Sequence, residues 1–98
     1  MAIEQITESN YNDFKNYSQS VLLVTISWCQ PCKAYEPIIN TLSNQMPYIK
    51  FGKTTIDKDR SIQFKKEYPD LNSWIFPTTI LFKEKKEISK IKGVSSYP

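Results

Sequence analysis

Residues Ser20–Lys33 read SVLLVTISWCQPCK. The stretch SVLLVTIS is a β-branched apolar run with no polar alternation before Thr25, which suits a central strand buried on both faces. It runs directly into Trp28, Cys29, Gln30, Pro31 and Cys32. The residues that follow, PCKAYEPIINTLSNQM, carry Tyr35, Ile38, Ile39 and Leu42 at helical spacing, with Pro37 expected to kink the helix because it removes a donor from the ladder. Cys29 and Cys32 are the only cysteines in the chain, and they sit where a strand turns into a helix.

Working outward, AIEQIT is a short β-leaning segment, and ESNYNDFKNYS places Tyr11, Phe14 and Tyr17 on one helical face. On the other side, YIKFGKTTID alternates as a strand with Ile49, Phe51 and Ile56 inward. DRSIQFKKEY is a short helix with Asp59 or Ser61 as its N-cap. PDLNSWIF mixes turn formers with large apolar residues and is expected to be an irregular loop. TTILFK is a strand, EKKE a turn, and ISKIKGV a last strand ending near Gly93. Alternating elements followed by two strands joined by a tight turn predict an α/β fold, a mixed sheet with helices on its faces. A chain of 98 residues with 40% hydrophobic residues suffices for one compact domain, residues 1–98, with a modest core.

The net charge of +3 is mild. Lys65, Lys66, Lys83, Lys85, Lys86, Lys90 and Lys92 are interleaved with acids, as on solvated faces, which argues against nucleic-acid binding. The N-terminal MAIEQITESN lacks the basic stretch and apolar run of a secretory signal. No apolar segment approaches the ~18 residues that span a bilayer. The expected location is therefore cytoplasmic, away from membranes, where a cysteine pair is more often catalytic or metal-binding than a stabilising disulfide.

Residues three apart on a helix share a face, so the two sulfurs can meet. Cys29, at the helix N-terminus, lies where unpaired N–H groups and the positive end of the dipole stabilise a thiolate relative to a free cysteine near pKa ~8.5. Lys33 adds a weaker push in the same direction. Pro31 falls in the first turn, where its missing N–H costs nothing. This arrangement predicts an exposed nucleophilic sulfur at Cys29 and a more buried partner at Cys32. A structural zinc site wants about four ligands and the chain has two cysteines and no histidine. A [2Fe–2S] centre shared between two chains takes four thiolates. A purely structural disulfide would close a very small loop and add little stability. A redox-active pair is the reading that spacing and context favour.

At this point the sequence resembles the thioredoxin family. WCQPCK differs at one residue from the family motif WCGPCK. Pro37 in the active-site helix, KTTID as the third strand, FPTTILFK as a cis-proline strand and KGV after the last strand follow in the family's order, so the resemblance runs from about Ile3 to Val94. It implies a thioredoxin fold, a central mixed four- to five-stranded sheet flanked by helices. The chain stops at VSSYP, so the family's C-terminal helix is expected to be missing. Residues such as Ile80 and Phe82 or their neighbours would then be exposed, whether the chain is naturally short, truncated or self-associating.

The resemblance implies that Cys29 attacks a substrate disulfide and Cys32 resolves the mixed disulfide, with no cofactor and no metal bound. Trp28, Gln30, Pro31, Phe76, Pro77 and Gly93 would form the substrate-binding surface. Trp28 shields the site, and Pro77 is the cis-proline beside the disulfide, which in this family also helps keep metals away. Phe76 offers backbone groups to an extended substrate, and Gly93 permits close approach. The alternative for Pro77 is that it merely starts an edge strand. Protein disulfides are the implied substrates and an NADPH-dependent thioredoxin reductase the implied donor.

Four departures from the family stand out. Leu23 occupies the position of a buried aspartate that helps the second thiol lose its proton, which leaves no local base. Lys53 matches the lysine that pairs with that acid, so it is expected to reach solvent or find another acid such as Asp57. Gln30 replaces glycine while Pro31 is kept, which favours a reductant, and Thr25 replaces a tryptophan. The stretch from Asp57 to Pro77 is longer than usual. There Trp74, Ile75 and Phe76 form an apolar lip that selects partners, or Leu71 and Trp74 plug the sheet edge. An oxidising or isomerising member of the family, or a binding module with weakened redox activity, are the competing functions.

Overall fold

In the computed structural model, which describes residues 3–59 and 62–93, the apolar run forms strand β2 (Gln19–Thr25) at the centre of a five-stranded sheet. Strand β1 (Glu4–Gln5) and β3 (Lys50–Thr55) lie on one side of it, and β4 (Thr78–Lys83) and β5 (Lys86–Lys92) on the other, in the order β1-β3-β2-β4-β5. The first three run parallel, while β4 pairs antiparallel with β2 and β5 antiparallel with β4. The sheet is mixed, as the order of elements predicted. The turn between β4 and β5 uses Glu84 and Lys85 with φ of 52° and 74°.

Helices cover both faces. Helix α1 (Tyr11–Lys15) precedes β2, α2 (Gln30–Gln45) follows it, and the short α3 (Ile56–Asp59) and α4 (Ile62–Glu67) follow β3. Because side chains alternate along β2, Leu22 and Val24 enter one core with Ile6, Tyr11, Phe14, Phe64, Leu71, Trp74, Ile80 and Phe82. Leu23 and half-buried Val21 enter the other, against Tyr35 and Ile39 of α2 and Phe51. Gly52 is required where β3 crosses the first core, since a Cβ there would lie 2.6 Å from Ile6 Cγ1 and 2.8 Å from Phe14 Cε1.

Several expectations change. Tyr17 is exposed, because α1 ends at Lys15 and the N–H of its cap residue Asn16 closes the last turn onto the Asn12 and Asp13 carbonyls. Ile38 is exposed as well, a helical step away from the buried stripe of Cys32, Tyr35, Ile39 and Ser43. β3 is shorter than predicted, so Ile49 precedes it and Ile56 opens α3; both are half-buried against the cores. PDLNSWIF contains one turn of 3-10 helix at Leu71–Ser73. The expected caps at Asp59 and Ser61 concern side chains outside the described residues. Ile80 and Phe82 are buried rather than exposed: in register with Leu22 and Ser20, they face α1 and the aromatic cluster. The apolar residues left open are instead Ile88 and Ile91 on β5.

Candidate active site

The end of β2 delivers Cys29 as the N-cap of α2, with Gln30 and Pro31 exposed in the first turn. The Cys32 backbone N–H donates to Cys29 Sγ at 3.1 Å, so the helix terminus aims a donor at this sulfur, as its position predicted. The cysteines form a disulfide with a Cα–Cα distance of 5.2 Å. Cys29 is 6% exposed and Cys32 3%. The expected exposed sulfur is thus corrected: in the oxidised pair both side chains are covered, with Cys29 the less so. Trp28 beside them is 72% exposed.

The Phe76–Pro77 peptide bond is cis. Pro77 is fully buried and leads into β4, which lies between β2 and β5, so the edge-strand alternative is overturned. Gly93, with φ +84°, follows β5 and its N–H donates to the Pro77 carbonyl at 2.7 Å. A Cβ on Gly93 would lie 3.7 Å from Ile75 Cγ2, which places Ile75 beside it.

Two cavities bear on the site, one beside Trp28 and one against the cysteines. One, of about 450 Å³, brings Trp28 and Phe76 together with Ile26, Ile56, Leu71 and Trp74. Trp74 is buried there: its ring meets Phe64 and Tyr68 in T-shaped contacts and its indole N–H donates to Asp70 at 3.0 Å. It therefore belongs to the core, as the sheet-edge reading had it, and only Ile75 and part of Phe76 remain for a lip.

The other cavity, of about 160 Å³, is lined by both cysteines together with Lys33, Glu36, Lys53, Thr55 and Lys58. Leu23 is fully buried next to β3 in register with Lys53. Lys53 does find an acid, but it is Glu36 at 3.0 Å and not Asp57. Asp57 is taken by Ser27, whose hydroxyl and N–H both donate to its carboxylate, the N–H at 3.0 Å. The hydroxyl bond is the main cause that holds the Asp57 carboxyl below its usual range. Thr25, in place of the family tryptophan, reaches Thr55 Oγ1 at 3.1 Å. The expectation that no acid stands near the pair is therefore corrected by Glu36. The signal was present in the sequence, since Glu36 lies four residues past Cys32, one turn along the same helical face.

Among the described residues no group of His, Cys, Asp and Glu is arranged to hold a metal ion, and no helix is long and apolar enough to cross a membrane. A sequence profile of the family described as "Thioredoxin" matches residues 2–97. The thioredoxin of Chlamydia pneumoniae is 28% identical over 94 residues, spanning 94% of this chain and 85% of its own length. Thioredoxin-1 of Saccharomyces cerevisiae is 35% identical over 69 residues, covering 70% of this chain and 62% of its own. Among solved structures, mitochondrial thioredoxin 3 of Saccharomyces cerevisiae in its oxidised form superposes with a TM-score of 0.75 at 28% identity, over 93% of this chain and 83% of that one. A profile that spans nearly all of the sequence, and a bonded cysteine pair at the strand-to-helix junction, mean that this chain belongs to the thioredoxin family and is a thiol–disulfide oxidoreductase.

Proposed function

We propose that this protein reduces protein disulfides in the cytoplasm, carrying electrons from an NADPH-dependent thioredoxin reductase to its substrates. The observation that carries the reading is the Cys32 N–H pointing at Cys29 Sγ at the start of α2. After reduction, the same donor and the helix dipole favour the thiolate at Cys29, which makes it the attacking sulfur. Its thiolate attacks a substrate disulfide, forming a Cys29–substrate bond and expelling the other substrate sulfur. Cys32, as thiolate, then attacks Cys29 Sγ, releases the second substrate sulfur and closes the Cys29–Cys32 bond, so two electrons have passed to the substrate. Trp28, Gln30, Pro31, Phe76 and Gly93 form the docking surface, with Trp28 and Phe76 sharing one cleft, and the buried Pro77 supports it from beneath through its cis bond to Phe76. A retained Pro31 and a polar, unionised Gln30 support the reducing direction.

The test is insulin reduction with dithiothreitol, run beside Cys29→Ser and Cys32→Ser. Both variants are expected to be inactive, with a mixed disulfide trapped by Cys32→Ser and none by Cys29→Ser. Trapping by Cys29→Ser alone would reverse the two roles.

A further inference from the structure

The resolving step needs a thiolate at Cys32, and this residue is nearly fully buried, which disfavours the charged form of a thiol whose ordinary pKa is already ~8.5. At neutral pH few molecules would carry that thiolate unaided, so the rate depends on where its proton goes. The cavity against the cysteines answers this, because among its lining residues Glu36 is the only carboxylate. Glu36 follows Cys32 by one helical turn on α2. Its volume of about 160 Å³ holds several waters at roughly 30 Å³ each, enough for a relay between thiol and carboxylate. The other charged groups facing Glu36 are Lys33 from α2, Lys53 from β3 and Lys58 from α3, with Asp57 tied to Ser27 at the edge. Of the three lysines Lys53 is the one fixed on Glu36, at 3.0 Å, with side chains 25% and 42% exposed respectively. The pair holds the carboxylate oriented towards the cavity and in contact with water.

We propose that Glu36 is the proton acceptor for Cys32, positioned by Lys53. In the mixed disulfide the Cys32 S–H proton passes through water to the Glu36 carboxylate. The resulting thiolate forms its bond to Cys29 Sγ while the Cys29–substrate bond breaks, and the substrate sulfur leaves with the electron pair. Glu36 then returns its proton to solvent. This rests on the reading of Cys29 as attacker and Cys32 as resolver.

Ellman's reagent separates the two steps, since attack by Cys29 releases one aryl thiolate and resolution by Cys32 releases the second. Single-turnover absorbance of the reduced protein is to be followed from pH 6 to 9.5 for the native chain, Glu36→Gln and Glu36→Asp. The first release is expected to be unchanged in all three. In Glu36→Gln the second release should slow about tenfold near neutral pH, less than the 10²–10⁴-fold of a direct acid–base contact because the acceptor is half exposed. The gap should narrow as the pH rises towards 9.5, because the unaided fraction of thiolate grows with pH, and Glu36→Asp should recover part of the rate. A second release as fast as native, or faster, at neutral pH would overturn the proposal. Acceleration is what a merely charge-screening Glu36 gives, because its loss leaves the Lys53 cation beside the thiol. Failure to form any mixed disulfide at Cys29 would instead overturn the attack-and-resolve reading, and this inference with it.

Discussion

Leu23 and Thr79 face each other across β2 and β4, and the Thr79 hydroxyl is buried there with no hydrogen-bond partner among the described residues. An unmet buried hydroxyl costs about 1–3 kcal/mol. Leu23 packs on Tyr35 and Ile39, the next turns of α2 beyond Cys32, and is in register with Lys53 on its other side. An aspartate at this position would therefore meet a waiting donor and a nearby cation. Leu23→Asp is expected to flatten the rise of insulin-reduction rate between pH 6 and 8.5, and in a Glu36→Gln background to restore the neutral-pH rate. A pH profile identical to that of the parent chain in both backgrounds would show that a carboxylate here does not reach Cys32.

At the scale of elements, α4 is joined to α1 by one polar cluster. Glu67 accepts from Tyr11 Oη at 2.7 Å, from Lys15 Nζ at 2.8 Å and from Gln63 Nε2 at 2.8 Å. Burial pushes the Glu67 carboxyl up, but the hydrogen bonds from Lys15, Tyr11 and Gln63 outweigh it and hold the group below its usual 4.5. A depressed folded value means stability that is present above pH 4.5 and lost as the pH falls through the folded value. Urea midpoints taken from pH 6 to 3 are therefore expected to drop more steeply for the native chain than for Glu67→Gln; parallel curves would refute the linkage. None of this cluster was legible in the sequence, since Tyr11 and Glu67 are far apart in the chain and Tyr11 reads only as one residue of a helical face. The strands, by contrast, were legible, because β2 and β4 are β-branched runs bounded by turn formers. The cysteine junction was legible too, because an apolar strand runs into Cys-Gln-Pro-Cys and helical spacing follows it, which places Cys29 at the start of α2. Glu36 was missed because the expected acid belonged to a strand: its spacing from Cys32 was there to read, but its pairing with Lys53 shows only when β3 and α2 are packed together. Tyr17 and Ile38 were misjudged for another reason, since periodicity marks a stripe without saying where the helix stops or how wide its covered face is.

For the molecule as a whole, the longer stretch before the cis-proline strand adds core. Leu71 and Trp74 extend the aromatic packing of Tyr11, Phe64 and Tyr68, and the Lys90 ammonium lies 4.6 Å from the Trp74 ring centre. Trp74→Ala is expected to cost about 3–5 kcal/mol, as large core truncations do, against a total of about 5–15 kcal/mol for a domain of ordinary stability. Denaturant titration would measure it. Below the unfolding midpoint, reduction of a small disulfide and of insulin should fall together; selective loss on insulin would assign Trp74 to partner docking after all. The chain's two tryptophans are thus in opposite situations, Trp28 in water next to the disulfide and Trp74 sealed among aromatic rings. They make the protein its own pair of optical probes. A sulfur–sulfur bond quenches a neighbouring indole, so emission from Trp28, at the red end, follows the redox state. Emission from Trp74, at the blue end, follows whether the chain is folded, and the two signals can be read in one cuvette without a label.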